Sequence, residues 1–187
     1  MITAPQVSIL SVQTDPGGNM RGFENKEYNV FEMFNDEWAL VTAGSPSHFN
    51  TCTIAWGSLG TIWGGPHGGR SIVTVYINPS RYTWEFLKEN DTFTVSFFPE
   101  EYRKVLSYLG SRSGRDEDKV KASGLTPKEI KGTVTFEEAN LTFVCHKLYQ
   151  GEFQREGLAD EINHGIYANW DPHWMFVGEI IETEDLR

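Results

Sequence analysis

Along this chain apolar residues recur at every second position in several short runs, and between these runs the spacing lengthens to three or four. Residues 38–43, Trp-Ala-Leu-Val-Thr-Ala, read as a strand closed by the turn Gly44-Ser45-Pro46-Ser47. A hydroxyl-rich strand with Asn50, Thr51 and Thr53 follows, then a glycine-laden connection containing Gly57, Gly60, Gly64, Gly65, Gly68 and Gly69. Residues 71–77 alternate hydroxyl or aromatic side chains with branched aliphatics, the pattern of a strand in a sheet with two unlike faces. The period then changes: residues 80–90 place Tyr82, Phe86 and Leu87 on one side of a short helix that Asn90-Asp91 stops.

Residues 92–97 alternate again, and Pro99 opens a second helix in which Tyr102, Val105, Leu106 and Leu109 recur at helical spacing until Gly110. A polar loop, 111–119, runs into a third short helix with Gly124 as its stop. Residues 134–136 and 141–149 look like strands paired with each other, and 175–181 supply a last strand. Residues 152–170 are polar and glycine-interrupted, a lid or a surface excursion. The first 28 to 30 residues lack a sustained period and read as an N-terminal arm, packed on the domain or loosely ordered. Six or more strands with alternating faces and three short helices predict a mainly β fold, an antiparallel Greek-key barrel rather than a βαβ stack, in one domain spanning residues 1–187.

Composition narrows the function classes. A formal net charge of −10 argues against binding nucleic acid or an anionic membrane through summed positive potential. Any anionic ligand must then be held by local groups, and the middle of the chain offers Arg70, Arg81, Arg112, Arg115 and Lys119. No run is long and apolar enough to span a bilayer, and the start has no basic segment typical of a signal peptide. Cys52 and Cys145, far apart in apolar contexts, read as buried free thiols of a cytoplasmic protein.

The five histidines are scattered without metal-ligand spacing, so no metal is expected. No nucleophile elbow, Walker-type phosphate loop or Rossmann glycine fingerprint is present. The turn Asn78-Pro79-Ser80-Arg81-Tyr82-Thr83 does bring anion-binding devices together: Pro79 fixes the backbone, Ser80 can cap a helix start and Arg81 adds a charged fork. A plain helix cap beside a solvated arginine is the plainer reading of the turn taken alone. The loop Ser111 to Lys119, with two arginines, serines and a glycine, is either a second anion contact or a solvated surface.

Taken together, residues 50–57 (Asn-Thr-Cys-Thr-Ile-Ala-Trp-Gly), the turn 78–83, Phe97-Phe98-Pro99 and residues 110–116 resemble the flavin reductase-like, flavoredoxin-type family, over about residues 38–182. The resemblance implies an FMN-binding split β-barrel, usually a homodimer, with non-covalent FMN near the subunit interface. It implies that Asn50, Thr51, Cys52, Thr53 and Trp56 border the flavin ring, and that Asn78, Ser80, Arg81, Tyr82 and Thr83 form the phosphate and ribityl end. Ser111, Arg112, Ser113, Gly114, Arg115 and Lys119 are similar to a second polar wall. His173 resembles a histidine on the substrate side of the flavin; a surface histidine between two tryptophans is the plainer reading. Two departures stand out: Asn78 occupies a position where arginine is common, and the glycine-rich 64–70 connection is unusually long, with Arg70 a candidate replacement for the missing charge.

The expected function is an FMN-dependent oxidoreductase in which NADH or NADPH reduces the flavin and the flavin serves an acceptor. An electron-carrier flavoprotein of flavoredoxin type, with a redox protein partner and little turnover of its own, is the second reading. The third is a flavin-less split barrel that binds another planar ligand or a partner chain.

Overall fold

The computed structural model describes residues 22–65 and 68–187. The alternation at 92–97 shows how the fold is put together. In strand β5 (Thr92–Phe97), Phe93, Val95 and Phe97 point into the main core, while Thr94 and Ser96, equally buried, face the other way. That hydroxyl face is covered by a hairpin of β6 (Pro127–Ile130) and β7 (Thr133–Phe136). Thr94 Oγ1 donates to the Val134 carbonyl at 2.6 Å, and the hydroxyls of Ser96, Thr135 and Thr142 form a closed set with separations of 2.8–3.2 Å. Buried hydroxyls this well partnered specify how the hairpin seats, because any shift leaves several unpaired at once.

The main sheet has seven strands in the order β2-β1-β5-β8-β9-β4-β3, every pair antiparallel. Strands β1 (Ala39–Ser45) and β2 (His48–Ile54) form a hairpin. Strands β3 (Gly57–Gly65) and β4 (Gly68–Ile77) form a second one, and β8 (Leu141–Glu152) and β9 (Trp174–Asp185) are the long central pair. A single turn α1 (Val30–Glu32) precedes the sheet. Helix α2 (Tyr82–Glu89) adds Phe86 and Leu87 to the main core. Helix α3 (Arg103–Ser111) contributes Leu106 and Leu109 to a second core with Leu40, Phe98, Leu125 and Phe136, and α4 (Lys119–Ser123) ends at Gly124 in the left-handed conformation, φ +79°.

Three expectations are corrected. The segments 134–136 and 141–149 do not pair with each other: β7 pairs with β6, and β8 lies between β5 and β9. Strand β6, Pro-Lys-Glu-Ile, carries no apolar alternation, which is why the sequence hides it. The glycine-laden stretch is not a loop either, since it forms β3 and the start of β4 with a register shift between Ile62 and Gly65. Arg70 sits at the distal end of β4, where it pairs with the buried Glu179 at 2.7 Å and so does not stand in for an arginine at position 78. Most of the expected N-terminal arm lies outside the described residues; its end packs on the barrel, with the rings of Phe23 and Tyr28 edge-on to Phe143. Among the described residues no helix is long and apolar enough to cross a membrane.

Strand β9 runs past both β8 and β4, and Gly178 is its closest point of approach. A Cβ at this position would lie 2.6 Å from the Cys145 Cβ and 2.6 Å from the Phe93 ring, both fully buried. Gly178→Ala should therefore destabilise by about 1–3 kcal/mol through overpacking, read as a lower urea midpoint at unchanged m-value. An unchanged midpoint would show that the seam yields without cost.

Candidate functional site

The register Ile77↔Trp174 sets the end of β4 beside the start of β9, so the turn after β4 and the residues before β9 face each other. Between them and the end of β2 lies a cleft of about 430 Å³. Of the expected site residues, Cys52, Thr53, Trp56, Asn78, Ser80, Arg81 and His173 line it. Tyr76, Ile77, Asn169, Trp170 and Asp171 also line it, and the sequence reading missed them.

The turn at 78–81 is built by Asn78. Its Oδ1 accepts from the Ser80 amide at 3.0 Å, its carbonyl accepts from the Arg81 amide at 3.0 Å, and its Nδ2 donates to the Asp171 carbonyl at 3.0 Å. An asparagine here thus fastens the turn to the opposite wall, a task in which its short amide serves as both acceptor and donor. Arg81 stands at the N-cap of α2 in extended conformation, and no side chain caps the helix. Among the described residues the Tyr82 and Thr83 amides have no protein acceptor, as expected of the first turn of an uncapped helix. Arg81 Nη1 donates to the Gly110 carbonyl at 2.7 Å, which holds the guanidinium at the cleft wall. A Cβ at Gly110 would lie 3.1 Å from the Thr53 Cβ, so α3 crosses β2 closely there.

The loop at 111–119 supports this turn from behind rather than lining the cleft. Gly114 seats against the buried Asn50, whose Nδ2 would be 2.5 Å from an added Cβ. Arg115 donates to the Ser80 carbonyl at 3.2 Å, pairs with Glu85 and lies over the Tyr82 ring. Arg112 is exposed and 3.7 Å from Glu117, while Ser111 Oγ donates to the Tyr108 carbonyl and Ser113 Oγ accepts from the Arg115 amide. Lys119 is turned inward, donating to the Leu109 and Arg112 carbonyls at 3.0 Å each; burial pulls its pKa down, and the nearby Cys52 thiol opposes that. Its ammonium closes the C-terminal end of α3, where carbonyls lack helical partners.

Thr51 and Thr83 are also turned away from the cleft. Thr51 Oγ1 donates to the Val41 carbonyl and receives the Thr42 hydroxyl, and Thr83 is fully buried against Cys52. Cys52 and Cys145 are buried, unpaired thiols whose pKa values burial raises. On the facing wall, His173 stacks at a tilt on Trp56 with ring centroids 4.6 Å apart, and its Nδ1 lies 3.1 Å from the Tyr167 hydroxyl. Burial, with a further push from the Arg81 charge, lowers the His173 pKa to about 4. The ring is therefore neutral across the physiological range.

The 152–172 excursion that supplies this wall is held by Arg155. Its guanidinium donates to Asn163 Oδ1 at 2.9 Å and to the Tyr167 and Trp170 carbonyls at 3.1 and 2.9 Å. The signal for Asn169, Trp170 and Asp171 was the Asp171-Pro172 turn just before the last strand, a cue to position but not to spatial partner. Across Ala55, Trp56 and Tyr76 the cleft adjoins an apolar groove of about 680 Å³ that Phe31, Phe34, Leu59 and Phe153 help to line. Chemically the cleft offers one arginine, a serine hydroxyl and free helix amides at one end, and aromatic faces with a neutral histidine at the other. Among the described residues no three His, Cys, Asp or Glu side chains are grouped to hold a metal ion.

A search of curated proteins finds no sequence match. In fold, the chain is similar to an FMN-binding protein from Thermus thermophilus with bound 1-cyclohex-2-enone, at TM-score 0.62 and 21% identity over 89% of this chain and 81% of the other. It is likewise similar to flavoredoxin from Methanosarcina acetivorans, at TM-score 0.60 and 25% identity over 86% and 73% of the two chains. Flavoredoxin of Desulfovibrio vulgaris (Miyazaki F) aligns at TM-score 0.59 and 21% identity over 86% and 74%. The antiparallel sheet with its short helices is accordingly the split barrel of FMN-binding proteins. The sequence model of the flavin reductase-like domain matches residues 33–185, and the chain belongs to the flavin reductase-like family.

Proposed function

We propose that this protein binds FMN non-covalently in the cleft and passes electrons from a reduced nicotinamide, NADH or NADPH, through the flavin to an acceptor. Membership of the flavin reductase-like family supports a flavin-binding redox role. The observation that carries the reading on this chain is the uncapped start of α2, with Arg81 and Ser80 beside it, opening into a cleft walled by Trp56 and His173. This donor set fits a phosphate at one end and a planar ring at the other.

When bound, the flavin would supply the hydride and single-electron chemistry, and the protein's task is to bind, orient and shield it. Arg81 and the Tyr82 and Thr83 amides would hold the phosphate, with the Ser80 hydroxyl as a further partner. Cys52, Thr53 and Trp56, at the end of β2, would border the ring, and His173 would present an uncharged polar edge. Arg155 and Asn78 fix the excursion that walls the cleft, limiting water there. The five cations of the middle segment then have different tasks. Arg81 serves the ligand, whereas Arg115 and Lys119 hold the turn and α3, Arg112 lies outside the cleft, and Arg70 pairs elsewhere.

A carrier role without turnover is the second reading, favoured by the two flavoredoxins among the structural neighbours. Anaerobic stopped-flow mixing separates the two: rapid bleaching of the flavin absorbance by NADH or NADPH is expected. No reduction by either, with reduction by a low-potential protein donor, would favour the carrier. A colourless protein that takes up no FMN would overturn both.

Arg81→Ala tests the phosphate assignment. A charge-assisted contact contributes about 1.5–3 kcal/mol, so FMN binding should weaken by roughly ten- to a hundredfold. Riboflavin, lacking the phosphate, should lose much less, and Arg70→Ala should add nothing. Equal loss for both ligands, or none, rejects the assignment.

We further propose a homodimer. Phe31 is 88% exposed beside the apolar groove and Trp63 is 53% exposed, surface that a second copy would cover. Light scattering should give twice the chain mass, with FMN uptake lost on dilution to monomer. A monomer that keeps stoichiometric FMN would contradict this. The buried free thiols accord with a reducing compartment such as the cytoplasm.

A further inference from the structure

His173 reaches the cleft with one polar atom committed and one free. Nδ1 is taken by the Tyr167 hydroxyl at 3.1 Å, and among the described residues Nε2 has no hydrogen-bond partner. Tyr167 is 3% exposed, and its hydroxyl has His173 as its hydrogen-bond partner. Its ring follows the turn Ile162–Ile166, and Arg155 holds its carbonyl, so the hydroxyl is delivered to a fixed place.

The direction of the bond follows from counting donors. If the imidazole carried its proton on Nδ1, the phenol oxygen would accept it and the phenol proton would be left buried without an acceptor. If the phenol donates to an unprotonated Nδ1, the buried phenol proton has its acceptor and the imidazole proton sits on Nε2, the ring nitrogen left for a ligand or solvent. We propose that Tyr167 is a positioning residue whose hydroxyl fixes His173 as the Nε2–H tautomer, so that His173 offers the cleft an uncharged donor for an oxygen acceptor of the bound flavin. The choice of flavin rests on the function proposed above; the tautomer does not. The titratable and charged groups facing His173 are Tyr167 on the excursion, Arg81 before α2, Asp171 ahead of β9 and Cys52 on β2. The arginine disfavours a second cation beside it, so the neutral donor meets the cleft without opposing Arg81.

The tautomer can be read directly in flavin-free protein by long-range proton–nitrogen correlation NMR of nitrogen-15 imidazoles, with His173→Gln to assign the signal. Wild type should show only the Nε2–H form at neutral pH and remain neutral well below the ordinary histidine range. Tyr167→Phe removes the hydroxyl alone, and should give mixed tautomers while the ring stays neutral at pH 7, because the burial and the Arg81 charge that lower its pKa remain. A wild-type Nδ1–H form, or a folded Tyr167→Phe variant that keeps a single Nε2–H form, overturns the role of Tyr167. Should that variant fail to fold by circular dichroism, the wild-type tautomer decides alone. For the donor, riboflavin avoids the titrating phosphate. His173→Gln, which keeps an N–H at similar reach, should bind within about threefold of wild type, whereas His173→Phe should lose about tenfold. Equal losses overturn the donor role. Wild type that takes up no flavin refutes the flavin reading, and leaves the tautomer result standing.

Discussion

The close approach at Gly178 governs more than its immediate neighbours. Strand β9 is paired on both sides, and a slip by one residue would turn Phe176 and Ile180 out of the core while forcing side chains into the space between Phe93 and Cys145. Glycine at position 178 lets the two ladders coexist in the observed register without overpacking Phe93 and Cys145. That register in turn sets Ile77 opposite Trp174, and with it the turn at Asn78–Arg81 opposite His173. The cleft is thus a consequence of core packing some distance up the strand.

Electrostatics work locally against a net charge of −10. Neutralisation by neighbours takes several cations out of play: Glu85 pairs with Arg115, Glu179 with Arg70 and Glu184 with Lys128. Arg81 is anchored instead by a backbone carbonyl, which fixes its position without cancelling its charge. A guanidinium held in this way keeps its field directed into the cleft, where it adds to the positive end of α2 and, on the other side, reinforces the burial that keeps His173 neutral. One anchored charge therefore shapes both ends of the site.

Much of this was legible in the sequence, for reasons that vary by element. The alternation at 92–97 survives in the structure because both faces of β5 are buried, one against apolar side chains and one against hydroxyls. The turn at 78–83 was legible because its chemistry is local: Asn78, Ser80 and Arg81 bond within a few residues. Strand β6 was not, since its partner β7 rather than its own pattern makes it a strand, and β3 was masked by glycines that read as a loop. The roles of Lys119 and Arg115 escaped for the same reason. Positive charge near a phosphate-like turn looks the same whether it faces a ligand or a carbonyl.

The two walls of the cleft are encoded differently, and this bears on how the site could diversify. On the β2 side, buried side chains do the holding: Asn50, Cys52 and Thr53 are set by contacts with Gly114, Thr83 and the Leu106 carbonyl, so altering them disturbs the core. On the facing side, Arg155 and Asn78 grip the carbonyls of Tyr167, Trp170 and Asp171, bonds that any residue at those positions could accept. Trp170, 60% exposed, is held in this wall through its backbone carbonyl. Its side chain can change with little cost to the fold, so the excursion is where the barrel can acquire a new preference for what enters the cleft, while the phosphate turn and the β2 wall stay as they are.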